Sequence, residues 1–522
     1  MTQFFKYKYI PLLLFILVGI YYLYKALYFL PHDFANYYYA AYFLENGKFD
    51  IQIYDPTWFN LEVTKNTKNA FVAYAPNTPF LSILFLPFTL FSFEFSKLLF
   101  NSISLFLFTF SLFRIFKFYK IDLKYLLLLL FVFIIPIKNN LLFGQVYFLL
   151  FFLISEGFLA FKKKKLILMS LLWSFAILLK VFPVLLFMFL VLEKKWKAFS
   201  YLFIACLILF LSMIFINGID SWLFYFQSIL PKASNGEIST EFVKNYQSFL
   251  MFFKHLFIDS IYNETNLFAS QKMYLISLNT VKSTIILFGI YFSFKEKNTL
   301  KKFSYWIISF YLLSPYSSSY GSILLIFPLL ILFTEVSKKR IIMASICVFV
   351  YGNLKFDLIG NSFLILSFFK LFSLMVFFYV MFIYNTIVLK KHLVILGISL
   401  LINSVYYSYQ NIEKKIEAPS ITDNNIALTT DYCIEKDTVF CSYWNEQGSK
   451  TERIKLDVLS SNVEEVNIKN NIIYINNKKI ALPKSNKKKA MLINKTTLLY
   501  LSDLNRGYGF YSLRKLKLKI DE

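Results

Sequence analysis

Glycine is scarce, with 14 residues in a chain of 522, and no Gly-rich phosphate loop occurs anywhere. ATP hydrolysis on a P-loop is therefore not supported, because that chemistry needs glycines where backbone N–H groups cradle phosphates. Histidine is rarer still: only His32, His255 and His392 are present, with no HExxH pattern, which argues against His-based zinc chemistry. The four cysteines show no paired metal-binding spacing; Cys206 and Cys347 fall in apolar runs, as packing residues do. Cys433 and Cys441 lie together in a polar tail, where a disulfide is open to them if that tail is outside the cytoplasm. No serine-nucleophile elbow appears. Acid is short as well: 31 Asp+Glu stand against 55 Lys+Arg, a formal charge of +24. In a soluble chain that excess would raise nucleic acid as a partner. Here no nucleic-acid module is visible, and the basic residues cluster at the ends of apolar segments, so they report membrane topology.

What is present in abundance is apolar surface. The chain is 57% hydrophobic and 20% aromatic, with 64 Phe, and runs long enough to cross a bilayer recur through its first four fifths. The expected fold is an α-helical polytopic membrane protein with outer juxtamembrane helices. Lys6 and Lys8 precede the opening run Tyr9–Leu30, which lacks a small-residue cleavage site and reads as a retained helix with a cytoplasmic amino terminus. Phe80–Phe93, interrupted by Pro87 and without basic flanks, reads as a surface or re-entrant helix. Spans are expected at Phe95–Phe113, Tyr125–Ile137 and Val146–Phe161, the last returning to Lys162–Lys165. A further cluster, Lys194, Lys195 and Lys197, follows Leu166–Leu192; both clusters share a side only if this run forms a hairpin broken near Lys180 and Pro183. One long helix is the competing reading. Continuing through Ala198–Ile216, Tyr274–Phe294, Phe303–Leu313, Gly321–Phe333, Ile341–Tyr351, Phe363–Leu389 and Leu393–Tyr409 gives about thirteen crossings.

Two domains are expected, 1–410 in the membrane and 411–522 outside the cytoplasm. In the second, short alternating runs such as Ile472–Ile475, Ile480–Leu482 and Leu498–Leu501 read as strands, and Asn476-Asn477 as a tight turn. No catalytic constellation appears in this tail.

The chemistry-bearing stretch is Pro31–Asp55. Asp33 stands where a helix begins, as N-cap or first-turn residue, and Phe34, Tyr38, Ala41 and Tyr42 recur at helical spacing, a face suited to lying in lipid. An acid there, beside His32, is placed to meet a lipid-borne phosphate and a water-borne hydroxyl; a purely capping Asp33 remains open. Lys180, set between ILL and VFP, needs water or a counter-ion, and reads either as a clamp for a lipid phosphate or as a snorkelling helix-end lysine. Gln145, the loop Asn245-Tyr246-Gln247-Ser248, and the Ser314-Pro315 turn with Tyr320 offer hydrogen-bonding groups of the kind that grip sugar hydroxyls.

The order of these elements resembles the bacterial polyprenol-phosphate-mannose-dependent mannosyltransferases of the GT-C superfamily. The elements are Asp33 after the first span, Gly47 with Tyr54-Asp55, Tyr74 and Pro76 before a Pro87-broken helix, Gly144-Gln145, Lys180 before Phe182-Pro183, the Asn-x-Gln-Ser loop and the Ser-Pro turn. The similarity covers about residues 10–400, with Ala75-Pro76 where the family usually has Pro-Pro, and Ser318 and Tyr320 where it tends to show Trp and His. It implies an inverting, metal-independent hexosyltransferase of the bacterial cytoplasmic membrane that needs no cofactor. It would move a hexose, mannose by analogy, from a polyprenyl-phosphate-sugar donor to an extracytoplasmic glycan or glycolipid acceptor. Asp33 would be the general base and Lys180 the donor-phosphate cation, with Tyr54, Asp55, Tyr74, Gln145, Asn245, Gln247, Ser248 and Tyr320 contacting substrate. A transporter or flippase of lipid-linked sugars, and a lipid-linked oligosaccharide polymerase or ligase, are the alternatives.

Overall fold

A computed structural model of the protein describes residues 9–67, 72–238, 244–258, 267–335, 337–358, 364–383 and 386–410. In the C-terminal part it describes 428–435, 438–445, 448–455, 466–469, 471–480, 482, 485–494, 496–503 and 511–518. Lys6 and Lys8 lie outside the described residues. The chain divides into two compact units: Met1–Lys48, Asn77–Trp222 and Lys244–Gln410 form the first, and Phe49–Pro76, Leu223–Val243 and Asn411–Glu522 the second. Two segments from the N-terminal half, each with short helices of its own, thus belong with the tail.

The first unit is helical. Among the described residues five helices are long and apolar enough to cross a membrane: Ile10–Leu27, Phe93–Phe118, Trp196–Asn217, Gln271–Lys295 and Ile387–Ser408. They leave large apolar side chains uncovered, Phe215 and Ile208 among them, as lipid-facing helices do. Other expected crossings fall on shorter or broken helices, including Leu166–Leu179, Phe182–Leu192, Tyr320–Glu335 and Phe369–Ile383.

Proline makes the breaks. Tyr125–Val132 and Ile134–Phe143 are bent by 64°. Pro136 has no N–H for the Val132 carbonyl and its ring crowds that carbonyl. Asn353 repairs the gap: its Nδ2 donates to Val132 O at 2.6 Å, and its Oδ1 accepts from Ile135 N at 2.9 Å. In the same way Pro183 follows a break at Lys180, between Leu166–Leu179 and the turn Phe182–Val184 that leads into Leu185–Leu192. Lys164, Lys165 and Lys197 line one surface pocket, so Leu166–Leu179 and Trp196–Asn217 start at the same end. Their far ends also meet common partners, since Thr78 Oγ1 donates to Leu178 O at 2.6 Å and Asn217 Nδ2 to Pro79 O at 2.7 Å. The two helices run parallel, which requires the intervening segment to bring the chain back. The structure therefore has the hairpin and not the single long helix.

The basic clusters gather at one end of this unit. Lys163 lies over the Phe118 ring, and Phe116 and Tyr125 both pack on Phe333. Lys301 and Arg340 both pair with Glu335, at 2.6 and 2.8 Å, and Lys302 pairs with Glu193 at 2.7 Å.

One expectation is reversed. Helix Asp33–Glu45 does not turn its aromatic face to lipid: Phe34, Tyr38 and Ala41 are buried, and Phe34 packs edge-on against Phe85 and Phe93. The short helix Phe80–Phe85 and the turn Leu86–Phe88 cover it, so the aromatics that read as amphipathic are core.

In the second unit the described residues of the tail form three three-stranded antiparallel sheets. Asn476 and Asn477 both take positive φ, 48° and 62°, making the tight turn between Ile472–Ile475 and Lys478–Lys479. Cys441 pairs in register with Tyr432 while Cys433 pairs with Phe440, so the two cysteines point to opposite faces and both are free thiols. The disulfide left open by the sequence is not formed.

Candidate active site

At the end of the helical unit opposite the basic clusters, the chain brings polar residues from six segments together. Asp33 is the first residue of helix Asp33–Glu45, with His32 in the N-cap position and no side-chain capping bond from it. Its carboxylate therefore sits in the first turn, favoured by the helix dipole yet free of a capping duty. Gln145 Nε2 donates to Asp33 Oδ2, and His32 Nδ1 lies 3.2 Å from the same oxygen. Tyr37, one turn further along, donates its hydroxyl to Gln145 Oε1 at 3.1 Å. One carboxylate oxygen is thus anchored from two sides, while Oδ1 has no hydrogen bond within the described residues.

Gly144 makes this contact possible. It ends helix Ile134–Phe143 in the left-handed conformation, φ 68°, and a Cβ there would come within 2.6 Å of the Phe34 Cβ. Without a side chain, the turn lies flat against the acid helix and delivers Gln145 to Asp33.

Lys180 lies in the break outside both helical halves, and its Nζ donates to Asn77 Oδ1 at 3.0 Å. Burial pushes its ammonium down to about 8, against an opposing pull from the Asp33 carboxylate. The acid and the lysine therefore share one electrostatic neighbourhood. Tyr147 and Tyr320 belong to it too: both feel Asp33 and Tyr246, and their rings lie 5.4 Å apart. His32 stacks on Phe143 at 4.2 Å, and Phe143 meets Tyr320 edge-on, closing an aromatic wall beside the carboxylate.

The other expected residues are placed as follows. Gln247 spends its amide on the scaffold, donating to Lys244 O at 2.7 Å and Ser367 O at 2.9 Å while accepting from Leu371 N. Ser248 caps helix Phe249–Phe257 and donates to Pro315 O at 2.8 Å, so the Asn-x-Gln-Ser loop and the Ser-Pro turn are tied to each other. Asn245 is exposed. Tyr54, Asp55 and Tyr74 belong to the second unit. There Asp55 caps helix Pro56–Thr64 and lies 3.4 Å from Lys488, while the Tyr54 and Tyr74 rings meet at a tilt of 52° in a buried aromatic cluster with Tyr225.

Tyr37, Asn77 and Tyr147 join the site without having been singled out by sequence. Tyr147 carried a signal, two positions after Gln145; Tyr37 and Asn77 meet their partners only through the fold. Among the described residues no three His, Cys, Asp or Glu side chains converge.

Residues 75–315 match Glycosyltransferase family 87. This match indicates a glycosyltransferase, and the apolar helices make it a multi-pass membrane one with a sugar donor and an acceptor as substrates. The matched family segment carries Asn77, Gln145, Tyr147 and Lys180; Asp33 precedes it and Tyr320 follows it. No curated protein and no solved structure is significantly similar to the chain.

Proposed function

We propose that the protein transfers a hexose from a polyprenyl-phosphate-sugar to a glycan or glycolipid on the outer side of the bacterial cytoplasmic membrane, inverting the anomeric centre. On this reading the basic end of the helical unit is cytoplasmic, and Asp33 and Lys180 stand on the outer face. The acceptor hydroxyl gives its proton to Asp33 as its oxygen attacks the anomeric carbon. The bond from that carbon to the phosphate oxygen breaks, and the electron pair leaves with the polyprenyl phosphate, whose growing charge Lys180 offsets. Oδ1 of Asp33 is the proton acceptor, because Oδ2 is engaged by Gln145 and His32. Tyr147, Tyr320 and Asn245 are the hydroxyl and amide groups offered to the sugars.

The observation that carries this reading is the shared electrostatic neighbourhood of Asp33 and Lys180, in a unit whose central segment matches a glycosyltransferase family. The test is incubation of the purified protein with a polyprenyl-phosphate-hexose and candidate acceptors. Wild type should form a new glycosidic bond, and Asp33→Asn should fold normally yet lose activity on the order of a hundredfold or more. Near-normal turnover by that variant removes Asp33 from the mechanism. A protein that translocates the lipid-linked sugar without forming any bond would be a flippase instead.

A further inference from the structure

Lys97 has no place in the mechanism above, and it is the most unusual charge in the helical unit. It lies one turn inside helix Phe93–Phe118, is only 4% exposed, and its Nζ has no hydrogen-bond partner among the described residues. Among the described residues no carboxylate pairs with it; Glu94, a turn away and exposed, lines the same cavity without forming an ion pair with it. Its ammonium sits 5.7 Å over the Phe29 ring. A buried ammonium without a counter-ion is costly in lipid or protein, so such a residue implies an anion that supplies the missing partner.

The surroundings say what kind of anion. Lys97 lines a cavity of about 210 Å³ between the end of helix Ile10–Leu27 with the residues that follow it and the start of Phe93–Phe118. At about 30 Å³ per water this is room for roughly seven waters, more than a single ion needs. Leu27 and Leu30 line it too and are exposed, at 40% and 62%, on an apolar helix end that faces lipid. The positive end of a 26-residue helix adds to the lysine's charge there, with the Glu94 carboxylate of its first turn opposing both. An ammonium set behind an apolar rim fits a phosphate attached to a hydrocarbon chain better than a free ion.

We infer that this cavity is a second anion site, separate from Lys180, that binds the phosphate of a membrane lipid with its chains along Leu27 and Leu30. Pro31, two residues before Asp33, lines it, and Phe29 packs against His32. A lipid held here enters sideways from the bilayer beside the proposed base. Where that proposed function holds, the lipid is the acceptor, since the donor phosphate belongs to Lys180.

The binding test does not depend on transfer. The full chain in detergent is incubated with phosphatidylglycerol, with diacylglycerol of the same acyl chains, or with phosphatidylglycerol plus millimolar inorganic phosphate, and retained lipid is read by native mass spectrometry. Wild type should retain phosphatidylglycerol and K97M should retain it roughly tenfold to a hundredfold less, the worth of a charge-assisted hydrogen bond. K97R should restore part of it. K97M removes an unpaired buried charge, so it should melt no lower than wild type. Equal retention by K97M overturns the site, as does equal retention of diacylglycerol. Displacement by inorganic phosphate at concentrations equal to the lipid would assign the cavity to free phosphate and overturn the lipid. Loss of transfer in D33N with lipid retention intact separates this site from the catalytic reading.

Discussion

A lysine whose ammonium is pushed down to about 8 titrates within the range of ordinary assays, and Lys180 is such a lysine. Lowering the value means the cation is present below about 8 and lost as pH rises through it. Because kcat/KM reports the groups of the free enzyme, transfer by wild type should fall above about pH 8 with a single ionisation. In Lys180→Arg the cation persists to far higher pH, so that limb should disappear even where the maximal rate is lower. An unchanged alkaline limb in the variant assigns it to another group. Asp33 shows why residue roles are only half legible in a sequence. Its place in a first turn follows from local pattern, but the bond from Gln145, 112 residues away, comes from a glycine-closed turn in another helix. Lys97 is illegible for a different reason: a lysine near the start of an apolar run looks like a boundary charge, and only the fold shows it buried with no hydrogen-bond partner among the described residues.

Breaks and caps decide where the elements deliver these residues. Gly144 combines a left-handed φ of 68° with a neighbour 2.6 Å from any added Cβ. Gly144→Ala should therefore cost about 1–2 kcal/mol in backbone conformation alone, more once Phe34 is displaced. The expected readings are a lower melting temperature and reduced transfer, because Gln145 no longer reaches the carboxylate; a variant unchanged in both would show the turn to be tolerant. The Pro183 break with its lysine is legible in sequence, since proline and an embedded charge coincide there. The Asn353 clamp over the Pro136 bend is not, because its two partners lie more than 200 positions away. Helix Asp33–Glu45 misleads for a physical reason: aromatics at helical spacing fit a lipid surface and a protein core equally well, and the cover supplied by Phe80–Phe88 is a tertiary choice.

For the helical unit as a whole, the parallel run of Leu166–Leu179 and Trp196–Asn217 fixes which loops share a side. Single cysteines replacing Lys164, Lys197 and Lys301 should react with a membrane-impermeant thiol reagent from one side of sealed vesicles, and a cysteine replacing Asn139 from the other. Labelling of Lys164→Cys and Lys197→Cys from opposite sides would restore the single long helix. The same gathering of charge bears on how permanent the orientation is. Turning the unit over would carry each of those ammonium and guanidinium groups through hydrocarbon, at about 2.5–3.5 kcal/mol apiece even on the mildest insertion scale. A membrane potential adds or removes about 2.3 kcal/mol per charge for every 100 mV. Once threaded, such a body has no thermal route to inversion, so whatever reaches its polar mouth must be brought there by other means.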